Sequence, residues 1–191
     1  MIETLISSKT RIKLLVKFFL NSNTTAYLRS LESQFGESTN AIRLELNRFE
    51  KAGMLRSFTA GNKKLFQANT EHPLYNEVHS IVMKYIGIDK VIENIIERLG
   101  DVQAVYLAGQ FAQGIDSDII DLILVGDINQ EYLMHLIQKA ESMVKRRIRY
   151  LVYADENAFE ASWMQSNGPT KSRDGRVSPL LIWSRDNGTI E

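Results

Sequence analysis

The sequence predicts an α+β chain of two domains: a helical domain closed by a β-hairpin, then a sheet domain with helices packed on it. Three observations carry this. Apolar residues in the first third of the chain recur at spacings of three and four, the period of helices with one buried face. Gly61-Asn62 stands between two short strand-like runs. Beyond residue 100, apolar runs of strand length alternate with amphipathic stretches of helix length.

Composition sets the bounds. The chain has 191 residues, 44% hydrophobic and 24% charged, a globular balance that excludes wholesale disorder and low-complexity scaffolding. It holds no cysteine, which excludes a disulfide framework, a thiolate metal site and a cysteine nucleophile. His72, His79 and His135 are too scattered to suggest a metal cage. No apolar run reaches the roughly 20 residues of a membrane span. The N-terminus, with Glu3 near its start, lacks the basic-then-apolar pattern of a secretory signal. The expectations are therefore no membrane partner and a cytoplasmic location. Net charge is zero, but unevenly so. Residues 1–72 carry 11 basic and 6 acidic side chains, a net of +5, which leaves 12 basic and 17 acidic among the other 119. The split suits a first domain that faces a polyanion.

In order along the chain, Ser8 precedes a first helix whose inward residues are Ile12, Leu14, Leu15, Phe18, Phe19 and Leu20. Asn21-Ser22-Asn23 ends it. A second helix, from about residue 26 to 35, buries Leu28, Leu31 and Phe35, and Gly36 supplies the turn. Ser38 or Thr39 caps a third, with Ile42, Leu46 and Phe49 at i, i+4 and i+7. Strand-like residues 56–59 and 64–67 then flank Ala60-Gly61-Asn62-Lys63. Three short helices followed by a basic hairpin is the order of a winged helix-turn-helix domain, spanning 1–72.

Residues 28–66, and above all the run LNRFEKAGML that leads into the hairpin, resemble the ArsR-type winged-helix repressors. In that family the third helix enters the major groove and the wing touches the DNA backbone or minor groove. The resemblance therefore implies double-stranded DNA as partner. Thr39, Asn40, Arg43 and Asn47 would stand on the reading face, with Arg56, Lys63 and Lys64 on phosphates. Arginine and asparagine suit bidentate contacts to guanine and adenine edges, and lysines suit phosphates. The same face also reads as the solvated side of a protein-docking module. Without cysteines, the thiolate metal sensing of classical members is excluded.

A connector follows over residues 73–88. Pro73 sits at or near the start of a helix striped with Leu74, Val78, Ile81, Val82 and Tyr85. Because winged-helix repressors usually read paired half-sites, this stripe is a candidate homodimer seam, or else packs the two domains together.

The second domain, residues 89–191, opens with a helix capped by Asp89 that buries Val91, Ile92, Ile95, Ile96 and Leu99 and closes at Gly100. Strands over 102–108, 119–125 and 148–153, a helix over 132–144 and a short helix capped by Asp155 follow. Polar residues 165–179 read as a long loop before a last strand at 180–183. The stretch GQFAQGIDSDIIDLILVGD is similar to the signature of the minimal nucleotidyltransferases, Gly-Ser-x-x-x-Gly followed by Asp-x-Asp. The matching residues are Gly109, Gly114, Ser117, Asp118, Asp121 and Leu122.

In that family glycines and serine hold nucleotide phosphates, and three carboxylates hold magnesium. The resemblance thus implies a nucleotide-like ligand near Gly109, Gln110, Gly114 and Ser117. The chemistry departs from the pattern. Gln110 replaces the serine. Asp118 and Asp121 are three apart, so in regular strand they fall on opposite faces, with Ile119 in place of the paired aspartate. Only a bulge would bring them together. Arg149 and Tyr150 stand where the third strand should supply an acid.

The sequence therefore predicts a DNA-binding regulator with no metal, no cofactor and an inactive nucleotidyltransferase-like domain that serves as sensor, dimerisation unit or docking surface. The alternative is an active, magnesium-dependent nucleotidyltransferase that uses Asp118 and Asp121. A third reading is a scaffold that makes only protein contacts.

Overall fold

A computed structural model describes residues 6–167, 178–186 and 188–189. The chain divides into two compact units. One comprises Met1–Tyr85 with Gln113–Asp116, and the other Ile86–Ala112 with Ser117–Glu191.

The first unit runs α1 (Lys9–Phe19), β1 (Ala26–Tyr27), α2 (Leu28–Phe35), α3 (Thr39–Lys51), β2 (Leu55–Ala60) and β3 (Lys63–Ala68), followed by α4 (Tyr75–Ile86). Ser8 caps α1 by accepting the Arg11 amide at 3.2 Å, and Ser38, not Thr39, caps α3 by accepting that of Ala41. Leu14, Phe18, Phe19, Leu31, Ile42 and Leu46 form a core that water does not reach. Truncating one such phenylalanine costs about 3–5 kcal/mol. β2 and β3 meet across Gly61-Asn62, with Ala60 opposite Lys63. Gly61 has φ +60°, as the first central residue of a type II′ hairpin requires.

Two details differ from the sequence reading. Ala26 and Tyr27 are not helical; they pair with Phe66 and Leu65 on the free edge of β3, giving the sheet order β1-β3-β2. Local periodicity cannot register a pairing forty residues away. Pro73 lies in a turn two residues before α4 and so does not open the helix.

The second unit runs α5 (Ile88–Arg98), β4 (Gly100–Ala108), α6 (Gly109–Ala112), β5 (Ile119–Ile128), α7 (Gln130–Val144), β6 (Arg147–Tyr153), α8 (Glu156–Asn167), β7 (Leu180–Ser184) and β8 (Gly188–Thr189). The sheet order is β6-β5-β4-β7-β8. β5 and β6 are parallel, as a helical crossover through α7 demands, and the other pairs are antiparallel. Asp89 is not the cap of α5. Left-handed Gly87 (φ +82°) holds that place, and a Cβ there would stand 2.5 Å from Val144 Cγ1. The side chain of Ile96 and residues 168–177 of the expected loop lie outside the described residues, and α8 reaches Asn167, past where that loop was expected to begin.

Strand alternation gives the sheet two dressed faces. Ala104, Ile123 and Val125 pack with Phe159 of α8, joined by Tyr106, Tyr153, Trp163 and Leu181. Val105, Leu107, Ile120, Leu122 and Leu124 are buried on the opposite face. Among the described residues no helix is long and apolar enough to cross a membrane.

Candidate functional site

In the first unit, α3 is held to α1 by charge. The Glu45 carboxylate accepts from Arg11 Nε at 2.8 Å and from Arg48 at 2.9 Å, and it is almost fully buried. Burial pushes its carboxyl up, but the Arg11 hydrogen bond and the Arg11 and Arg48 charges outweigh this and leave it below the ordinary carboxylate range. Lys13 ties α1 to the end of α2 through the Phe35 carbonyl and Glu37, both at 2.8 Å. The α3 axis is therefore fixed by buried apolar residues on one side and this ionic link on another.

That placement turns the outer face of α3 toward the hairpin. Between them lies a groove of about 590 Å³ lined by Arg29, Arg43, Asn47, Asn62, Lys63 and Lys64, floored by Tyr27, Leu28, Leu46 and Phe66. Of the seven residues the sequence pointed to, Arg43, Asn47, Lys63 and Lys64 meet here. Asn40 is exposed and Thr39 half-buried at the start of α3, and neither lines the groove. Arg56 is turned to an ion pair with Glu71. Lys64 lies 2.8 Å from Glu50, whose carboxyl is held below its usual range by that lysine and by Ser57. Arg29, Arg43 and Lys63 make no ion pair among the described residues. Lys63 instead stands 4.4 Å over the Tyr27 ring. Arg29 was missed because only the packing of α2 on α3, through Leu31 and Phe35, brings it to the groove.

In the second unit the register decides the chemistry. Asp121 of β5 lies opposite Arg149 of β6, and Arg149 Nε donates to Asp121 Oδ1 at 2.6 Å. The guanidinium, raised still further by that bond, occupies the strand position where a third carboxylate was sought. Asp121 also underlies Gly109: a Cβ there would stand 2.2 Å from its Oδ2. Asp118 is exposed and lies outside β5, which runs in unbroken register along β6 from Ile119. No bulge brings it to Asp121. Ser117 is occupied locally, its hydroxyl accepting the Ile119 amide at 3.1 Å. Gln110 is exposed on α6. Among the described residues, no group of three or more histidines and carboxylates is gathered that could hold a metal ion.

Gly114 has a different reason to be glycine. It belongs to the first unit, where a Cβ would stand 2.5 Å from the Lys17 carbonyl oxygen and 2.7 Å from Lys17 Cα. Beside it Lys17, whose ammonium is pushed down by burial, donates to the Gln113 carbonyl at 2.6 Å.

No family model matches the chain, and neither does any curated protein. Among solved structures the chain is similar to AF1382 from Archaeoglobus fulgidus, at 16% identity and a TM-score of 0.36, covering 49% of this chain and 98% of that one. It is also similar to a "putative nucleotidyltransferase" from Sulfolobus solfataricus, at 19% identity and a TM-score of 0.34, covering 59% and 91% respectively. Likeness of this degree leaves function to be argued from the residues.

Proposed function

We propose that the chain is a DNA-binding regulator. In this reading the first unit engages duplex DNA as a winged helix-turn-helix, and the second is a nucleotidyltransferase-like domain without phosphoryl transfer, used for sensing or assembly. One observation carries it: Arg29, Arg43 and Lys63, three cations with no carboxylate partner among the described residues, converge with Asn47 on one groove. Unpaired cations of one sign repel, and a phosphate backbone relieves that repulsion while releasing counterions. Arg43 and Asn47 carry the donors and acceptor that distinguish guanine and adenine edges, and Lys63 on the wing suits phosphate.

The residues present do not fit magnesium. Asp121 is already neutralised by Arg149 at 2.6 Å, and Ile119 and Arg149 stand at the other two carboxylate positions. Magnesium asks for several oxygen donors in near-octahedral array. No step is therefore routed through a metal.

A homodimer belongs to the same reading. The α4 stripe divides: Val82 is buried, whereas Leu74 and Ile81 are 54% and 48% exposed on the outer face. Ile81→Glu should leave folding within about 0.5 kcal/mol, as for an exposed site. Sedimentation should then show monomers with weakened DNA binding. A mutant that stays dimeric places the seam elsewhere.

The deciding experiment is selection of the full chain on random DNA duplexes over a range of salt. The reading expects an enriched motif with two spaced half-sites and log affinity falling linearly with log salt. Binding without sequence enrichment, or none, overturns it. Magnesium-dependent nucleotide transfer that Asp121→Asn abolishes would overturn the second half.

A further inference from the structure

The sheet face that carries Asp121 holds a second feature, independent of the DNA-binding reading. Ala108 pairs with Asp121 and Tyr106 with Ile123, so Tyr106 stands on the same face, two residues along β4. α8 packs across that face. Phe159 lies 4.8 Å from the Tyr106 ring and 6.4 Å from the Trp163 ring, centre to centre. Around these three rings is a cavity of about 270 Å³, also lined by Glu156 and Glu160, with Ser178 and Pro179 at its margin. Among the described residues, no lysine, arginine or histidine lines it.

Two physical facts single out its occupant. Glu156 and Glu160 are four apart on one helix, where like charges face each other and destabilise; a cation between them reverses that sign. The Tyr106 hydroxyl donates to Glu156 Oε1, which leaves the other lone pairs of that carboxylate available to a ligand. Burial, then Glu156, push the Tyr106 hydroxyl well above its ordinary range, so it stays a donor. Carboxylates beside aromatic faces are the surroundings an organic cation prefers to water. The volume is just below the roughly 300–1,000 Å³ of ordinary ligand pockets, which suits one alkylammonium group and excludes a nucleotide.

We propose that the cavity of Tyr106, Phe159, Trp163, Glu156 and Glu160 binds a primary alkylammonium group. The head group lies between the two carboxylates and its methylenes against the rings.

The test uses the ¹⁵N-labelled full chain and follows the Trp163 indole N–H resonance, assigned with Trp163→Phe, while that of Trp183 reports on the fold. Butylammonium chloride is titrated against n-butanol and against potassium chloride at equal ionic strength. Butylammonium should shift the Trp163 signal saturably; butanol and potassium should not. Glu160→Gln, at an exposed position of α8, should weaken the binding about threefold, the size of one partly exposed charge contact, with the Trp183 signal unmoved. An equal response to butanol, a response that never saturates, no response, or one indifferent to Glu160→Gln overturns the proposal. Nα-acetyl-lysine amide separates two sources of the same chemistry. Affinity equal to butylammonium points to a free amine, and tighter binding to a lysine side chain of a protein.

Discussion

The groove of the first unit and the sheet face of the second make opposite use of charge. Around the groove, acids are placed so that some cations are taken and others left. Glu71 holds Arg56 and Glu50 holds Lys64, while Arg29, Arg43 and Lys63 remain unclaimed among the described residues. On the sheet face Asp121 is claimed by the guanidinium directly opposite. An unclaimed charge can still pay its desolvation cost against a ligand; a claimed one must first break a bond. The contrast teaches that a residue's type says less about function than whether the fold has already given it a partner.

The largest expected effect tests whether the glycines of the second motif serve phosphate or packing. Gly114→Ala sets a Cβ against Lys17 backbone at a φ of +66°, and backbone cannot step aside. It should cost about 3 kcal/mol in chemical denaturation. Gly109→Ala meets the Asp121 side chain rather than backbone and should cost less, about 1–2 kcal/mol. A glycine kept for a phosphate would tolerate alanine without loss of stability, so a stable Gly114→Ala breaks the packing account.

Next is Arg43→Ala, which removes an unclaimed cation. It should weaken cognate DNA binding by about 1–3 kcal/mol and relax preference at one base position. Loss that is uniform over all sequences would remove α3 as the reader.

Glu45→Gln loosens α3 from α1 and should destabilise by about 1–2 kcal/mol at neutral pH. The folded carboxyl titrates below its unfolded value, so its contribution is present above the unfolded pKa of about 4.3 and fades as pH falls through the lower folded one. Denaturation curves of the two proteins should therefore converge in acid, once the pH has fallen through that lowered folded value. A difference that persists in acid would assign Glu45 a packing role only.

The smallest effect sharpens the contrast between a groove cation and one turned away from it. Lys63→Ala should lower the salt slope of DNA binding by about one. Arg56→Ala, already turned to Glu71, should lower it by less. Equal slopes would mean that the Arg56–Glu71 pair opens on DNA.

Much of this was legible in the sequence. The Gly61-Asn62 hairpin and the α1 and α3 stripes lie where local spacing puts them, because a helix or hairpin that must bury one face writes its period into neighbouring residues. The two-residue β1, Gly87 as opening residue of α5 and the four-residue α6 were not legible. Each is settled by a distant partner: Phe66 and Leu65 for the first, Val144 for the second, and for the third a sheet under which Phe111 is fully buried.

By itself the sequence determined the order of the longer helices and strands, the surplus of positive charge in residues 1–72 and the missing carboxylates of the second motif. These are properties of composition and of residues within a few positions of one another. Only the tertiary structure decided which of the seven groove candidates meet, that Arg29 joins them, and that Arg149 closes on Asp121 from another strand. Pairing of charges depends on distances of a few ångströms between residues far apart in the chain, and those distances are not written in local sequence.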